Sequence, residues 1–99
     1  MKKLEIIIPE RCLPDVSDII KEARATGYSF YSIVGKGDVP EFHTKVKVEV
    51  VVRDEQVDEI IKKAIDRIGG DIKTGGKIFV SDVATAVDLV TKKKGESAI

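Results

Sequence analysis

Hydrophobic and polar positions alternate most strictly over residues 45–53 (KVKVEVVVR), where Val46, Val48 and Val50 share one side of an extended backbone and Lys45, Lys47 and Glu49 the other. A period of two with one apolar face predicts a half-buried strand. Residues 3–9 (KLEIIIP) are β-branched, short and closed by a proline, the pattern of a strand buried on both faces or nearly so. Residues 28–35 (YSFYSIVG) and 77–83 (KIFVSDV) also read as strands. In the first of these, alternation sends Tyr28 and Phe30 to one face and Tyr31 to the other. Residues 86–90 (AVDLV) suggest a short extra strand. The polar tail over residues 91–99 (TKKKGESAI) is expected to be mobile unless a partner orders it.

Two stretches carry the helical period instead. Pro14 and Asp15 suit a helix start, Val16, Ile19, Ile20 and Ala23 make one apolar face, and Gly27 lies past the expected end. From Asp54 onward, Val57, Ile60, Ile61, Ala64, Ile65 and Ile68 form a second stripe that Gly69 and Gly70 terminate. The order β-α-β-β-α-β predicts an α+β fold, a ferredoxin-like sandwich with a short C-terminal extension. Two helices cover only one face of such a sheet. An apolar second face would be covered most easily by identical subunits, so oligomerisation is expected.

A length of 99 residues predicts one domain over residues 1–99. Seventeen basic residues balance 17 acidic ones, so no global field draws the chain to nucleic acid, which is not an expected partner. Cys12 is the single cysteine, and without paired Cys/His spacing there is no zinc motif; a structural role is expected for it. The opening MKKLEIIIPERC has too short an apolar run for a signal peptide or a membrane span, which points to a cytoplasmic protein.

Residues 69–80 (GGDIKTGGKIFV) hold Gly69, Gly70, Gly75 and Gly76 together with Lys73 and Lys77. Such a loop can bring successive N–H groups and ammonium charges to a phosphate. Spacing alone favours a simpler use, capping a helix and admitting a strand. The loop fits neither of the two familiar phosphate-binding glycine patterns, both of which open a helix rather than precede a strand. A second glycine-lysine turn, Gly35-Lys36-Gly37, ends the second strand. The two turns need not meet within one subunit, so a cleft between subunits is the candidate pocket.

These residues bear a family likeness. TGGKIFVSDVA closely resembles the corresponding segment of the PII signal-transduction proteins, glycine-aspartate-glycine-KIFV-x-DVA. MKKLEIII is similar to that family's opening strand, ATGYSFYSIVGKG to its second strand and Gly-x-Gly turn, and EFHTKVKVEVVVRDEQVD to its third strand and second helix. The closing SAI is also alike.

The resemblance implies a homotrimer that binds an adenine nucleotide, ADP, ATP or AMP, in clefts between subunits and controls a target transporter or enzyme. By motif position, Gly27 and Ser29 would contact the adenine side, with Glu49 and Val51 lining the base pocket. Gly35, Lys36 and Gly37 would lie over the phosphates, and Gly75, Gly76 and Lys77 would form the phosphate loop. Bicarbonate or another small anion is a further effector among short-loop relatives.

Departures from the family pattern qualify this. Asp88 and Val90 stand where the family places two phosphate-gripping arginines, which puts triphosphate binding in question. Lys92, Lys93 and Lys94 could substitute from the tail. Only DVPE separates Gly37 from Phe42, a shortened signalling loop with no tyrosine to modify. Asp38 or Val39 replaces the glutamine used for Mg²⁺ and 2-oxoglutarate, so 2-oxoglutarate sensing is not expected and Mg²⁺ is left open.

Two other functions compete. A metal-binding or metal-tolerance trimer would use His43, Asp38 or Glu41 from three subunits. A small enzyme would hydrolyse nucleotide slowly, with Lys77 stabilising phosphate charge. Asp38, Asp82 and Glu49 pair with no nucleophile at catalytic spacing, so the expectation is a regulator and not an enzyme.

Overall fold

The computed structural model describes residues 1–37, 42–70 and 75–99. Its elements are β1 (Lys2–Ile8), α1 (Leu13–Glu22), β2 (Ser29–Lys36), β3 (Phe42–Val52), α2 (Asp54–Ile68) and β4 (Lys77–Asp82), with 3-10 turns at Glu10–Cys12 and Gly95–Ala98. The strands form one antiparallel sheet in the order β2-β3-β1-β4. Both helices pack on the same side of it, which is the expected ferredoxin-like α+β arrangement.

Antiparallel register joins the two most apolar strands. Leu4 lies opposite Val50, Ile6 opposite Val48 and Ile8 opposite Val46, and all six are buried. Val16, Ile19 and Ile20 of α1 and Ile60 and Ala64 of α2 close over these rows. Burying an aliphatic side chain of this size stabilises a fold by about 1.5–3 kcal/mol, so this double row is the main source of cohesion. Cys12 is buried in the same cluster. β2 contributes no buried residue; it is an edge strand whose Phe30 and Val34 remain exposed.

Several expectations need correction. β1 is not buried on both faces, because Lys3, Glu5 and Ile7 point away from the helices and are half-exposed; the run of isoleucines hid an alternation carried by Lys3 and Glu5. α1 does end before Gly27, as expected, but already at Glu22, which leaves Ala23 of the expected apolar face at its cap. The chain leaves it through Arg24 in a left-handed conformation (φ 62°), a turn normally given to glycine. The stripe of α2 is also narrower than its period suggests, since Ile65 is exposed.

Residues 86–90 form no strand: only Val87 bridges, to Lys94. The tail is not loose either. Asp88 N–H donates to Lys93 O at 2.9 Å and Gly95 N–H to Ala86 O at 2.9 Å, making a tight turn whose tip is tied by Asp88 Oδ1 to the amides of Val90 (2.8 Å) and Thr91 (3.3 Å).

The uncovered sheet face is not apolar at its centre, contrary to expectation. Glu5 and Glu49 lie directly opposite one another, a repulsive pairing on a bare sheet. Lys47 Nζ sits 2.6 Å from Glu5 and 3.8 Å from Glu49, while Lys3 Nζ lies 3.8 Å and 3.5 Å from the same two carboxylates. Tyr31 completes the square by donating its hydroxyl to Glu49 at 2.8 Å, its ring 5.9 Å from the Lys47 ammonium.

Gln56 fastens the two helices together. Its Oε1 accepts the Arg53 N–H at 2.7 Å, capping the start of α2, and its Nε2 donates to Ala23 O at 3.0 Å, at the end of α1. Replacing it removes both bonds, so Gln56→Ala should lower unfolding free energy by about 1–2 kcal/mol in urea denaturation, whereas an unchanged midpoint would show the link to be idle.

The hydrogen bond from Lys47, helped by the charges of Lys47 and Lys3, holds the Glu5 carboxyl below its usual value against the opposing effect of desolvation. A depressed carboxyl stabilises the fold above its unfolded pKa and loses that contribution as pH falls through the lower, folded value. Urea midpoints measured from pH 6 down to pH 3 should therefore fall more steeply for the natural chain than for Glu5→Gln. Parallel curves would mean that the square carries no pH-dependent stability.

Candidate functional site

The residues singled out for ligand contact fall into three groups on one sheet. Gly27 leads into β2, where Ser29 pairs with Glu49, and Val51 follows on β3 opposite Lys3. Gly35 and Lys36 occupy the other end of β2, opposite His43 and Phe42, with Gly37 just beyond. Gly75 and Gly76 precede Lys77, which pairs with Ile7 at the start of β4. At about 3.3 Å per residue, Ser29 and Gly35 are about 20 Å apart. β2 and β4 are opposite edges of the sheet, separated by about 14 Å. One chain does not bring the three groups into a single pocket.

The glycines are of two kinds. Those between α2 and β4 are required by the backbone: a Cβ on Gly69 would lie 2.4 Å from Ile65 O, Gly70 has a φ of +81°, and a Cβ on Gly76 would lie 2.8 Å from Ile7 O. Gly75 is left-handed as well (φ 51°). At Gly27, Gly35 and Gly37 a Cβ would meet nothing within 4 Å, so the chain itself gives no steric reason for glycine there. Lys73 lies outside the described residues, as do Asp38, Val39 and Glu41.

Charge gathers beside the glycines that precede β4. Lys77 and Lys36 are exposed and have no ion-pair partner among the described residues. Lys45, which sequence reading placed only on a polar strand face, reaches past the end of β1 to donate to Gly75 O at 2.6 Å. Its proximity follows from the β1–β3 register, which no local motif reveals. Two ammonium groups thus stand at the loop before β4, and their chemistry suits an oxyanion.

Glu49 is committed elsewhere: Tyr31, Lys3 and Lys47 hold its carboxylate on the open face. Asp88 is committed too, through the turn at residues 88–91. Lys92, Lys93 and Lys94 are exposed at that turn. Tyr28 and Phe30 share a face, their ring centroids 6.3 Å apart, and Ser17 Oγ lies 2.7 Å from Tyr28 Oη. Among the described residues no three His, Cys, Asp or Glu side chains gather as a metal site, and His43 stands exposed on β3.

An apolar cleft of about 500 Å³ opens between α2 and the start of β4. Ile6, Ile8 and Ile78 form its floor, Ile61, Ile65 and Ile68 its helical wall, and Gly69, Gly70, Gly75 and Gly76 with Lys77 its polar rim. Among the described residues, no helix is long and apolar enough to cross a membrane.

Comparison with known proteins gives this sheet and its loops a context. A family model described as Nitrogen regulatory protein P-II matches residues 1–93. Nitrogen regulatory protein P-II of Rhodobacter capsulatus is 33% identical over 112 residues, with 100% of both chains covered. Nitrogen regulatory protein P-II 1 of Escherichia coli strain K12 is 34% identical over 116 residues, again with 100% of both chains covered. The solved structure of B. subtilis GlnK superposes with a TM-score of 0.84, covering 99% of this chain and 97% of that one at 18% identity, which establishes the shared fold. With a matching family model along most of its length and relatives aligned from end to end, the chain belongs to the nitrogen regulatory protein P-II family.

Proposed function

We propose that this chain is a non-enzymatic regulator, a single PII-like domain over residues 1–99 that binds an adenine nucleotide between subunits of a homotrimer. The observation that carries the reading is the pairing of Lys36 and Lys77, without ion-pair partners among the described residues, with glycines set beside open space or required by the backbone around them. The three residue groups lie too far apart to serve one ligand in one chain, and a ring of copies would bring one group against another. In this reading Gly75, Gly76 and Lys77 hold phosphate, with Lys45 adding charge, and Gly35, Lys36 and Gly37 cover it. Gly27, Ser29, Val51 and the Glu49 segment of β3 face the base.

Asp88 and Val90 supply no cation to a third phosphate, which favours ADP or AMP over ATP. Bicarbonate or another small anion could use the same ammonium groups, and Mg²⁺ binding would need ligands beyond the described residues. Occupancy would pass to a target transporter or enzyme in the cytoplasm through the short segment around residues 35–43. The alignments over 112 and 116 residues, against 99 here, accord with a chain that has lost part of a longer loop.

Calorimetry with ADP, AMP and ATP tests the phosphate loop. A charge-assisted contact is worth about 1.5–3 kcal/mol, so Lys77→Ala should weaken nucleotide binding by about 10- to 100-fold. No heat from the natural chain at millimolar nucleotide would remove the reading.

Gly35→Ala separates ligand contact from folding. Because its Cβ meets nothing within 4 Å, the change should leave thermal stability the same or slightly higher while reducing nucleotide affinity. Equal affinity in both proteins would exclude the β2 turn from the site.

A further inference from the structure

Isoleucine and one alanine supply the apolar lining of the cleft between α2 and β4, and among the described residues no aromatic ring stands there to stack on a purine. No hydroxyl, amide or carboxylate side chain lines it, so a sugar would find no side-chain partner. Lys77 is the one lining side chain with a charge. Its ammonium is exposed, and no ion pair holds it among the described residues.

That combination selects an occupant by its chemistry. An apolar trough with a single ammonium at its lip suits a flexible aliphatic chain that ends in one negative charge. A phosphate monoester carries about 1.5 to 2 charges at neutral pH, more than one lysine offsets, whereas a carboxylate carries one. The volume of about 500 Å³ falls within the range of small-ligand pockets, about 300–1,000 Å³. At roughly 30 Å³ for a group the size of a water molecule or a methylene, it accepts a chain of about ten carbons.

We infer that this cleft binds an unbranched aliphatic carboxylate of about eight to twelve carbons, its carboxylate on the Lys77 ammonium and its chain along Ile61, Ile65 and Ile68. This rests on the reading of Lys77 above as an oxyanion contact and gives that lysine a second ligand. Nucleotide and acid then draw on the same cation, so each should weaken the binding of the other by the same factor. The protein would respond to aliphatic acid through the site that reports nucleotide.

Calorimetry of the full chain with hexanoate, octanoate and decanoate tests this. Each added methylene should tighten binding about fourfold, with one acid bound per chain. Decanol, which has the chain without the charge, should bind about tenfold or more weakly than decanoate. Lys77→Ala should lower decanoate affinity by that same factor and leave decanol unaffected. Ile65→Asp places a negative charge at the mouth, on a position already exposed to solvent, and should weaken decanoate at least about tenfold while circular dichroism and ADP binding show the protein intact.

Alkylation gives a second readout if that variant fails to fold. Cys12 is buried, so in Ile65→Cys the new thiol at the mouth is the one that iodoacetamide reaches, and decanoate should slow its reaction where hexanoate does not. Affinity that ignores chain length, equal decanoate binding by the natural chain and Lys77→Ala, or an unchanged alkylation rate overturns the inference. Residues 71–74 lie outside the described residues; decanoate binding by Ile72→Ser and not by the natural chain would assign the cleft to the chain's own isoleucine and overturn it as well. Decanoate binding without ADP binding would remove the nucleotide reading alone, and Lys77-dependent ADP binding without decanoate binding would remove this inference alone.

Discussion

Everything in this fold depends on the register between β1 and β3. Leu4, Ile6 and Ile8 face Val50, Val48 and Val46 across the ladder, and a slip of one residue would turn either Lys3 and Glu5 or Lys47 and Glu49 into the core beneath the helices. The same alignment sets Glu5 against Glu49 on the outer face, a repulsion that Lys3 and Lys47 compensate from the diagonal positions. It also carries Lys45 past the end of β1 to the carbonyl of Gly75. One pairing therefore decides the core, the charge pattern of the open face and the position of a cation beside Gly75.

What could be read from the chain is what local periodicity encodes. The alternation from Lys45 to Val52 and the stripe of α2 each specify an element whose face and type survive in the structure. The family likeness in GGKIFVSDVA was legible as well, and comparison established it. The failures share a cause. The end of α1 depends on Arg24 accepting a left-handed conformation, and the fold of the tail depends on a carboxylate at Asp88 capping its own turn. Neither is visible as a period. The polar centre of the open face was missed because alternation tells which residues leave the core, and only cross-strand neighbours tell what they meet.

The glycines make a similar distinction at finer scale. In the turn before β4, carbonyls of Ile65 and Ile7 and the left-handed angles of Gly70 and Gly75 demand them. This accounts for their number without any ligand, as the simpler reading of that loop held. At the end of β2 the chain makes no such demand, yet Gly35 and Gly37 bracket a lysine that is unpaired among the described residues. A residue that the fold does not need is better evidence of an external contact than one it does. The weaker-looking motif is thus the more informative one about function.

The two ends of the sheet divide the chemistry between them. Cations collect where β4 begins, with Lys77 and Lys45, while the far end of β4 runs into a turn whose carboxylate is spent on its own amides and whose outermost groups are aliphatic. A chain arranged in this way presents charge at one end and apolar surface at the other, about 20 Å away for a six-residue strand. Neither end satisfies the other within the molecule. Each end is therefore left for an external contact of its own kind, an oxyanion at the ammonium groups and an apolar surface at the aliphatic turn.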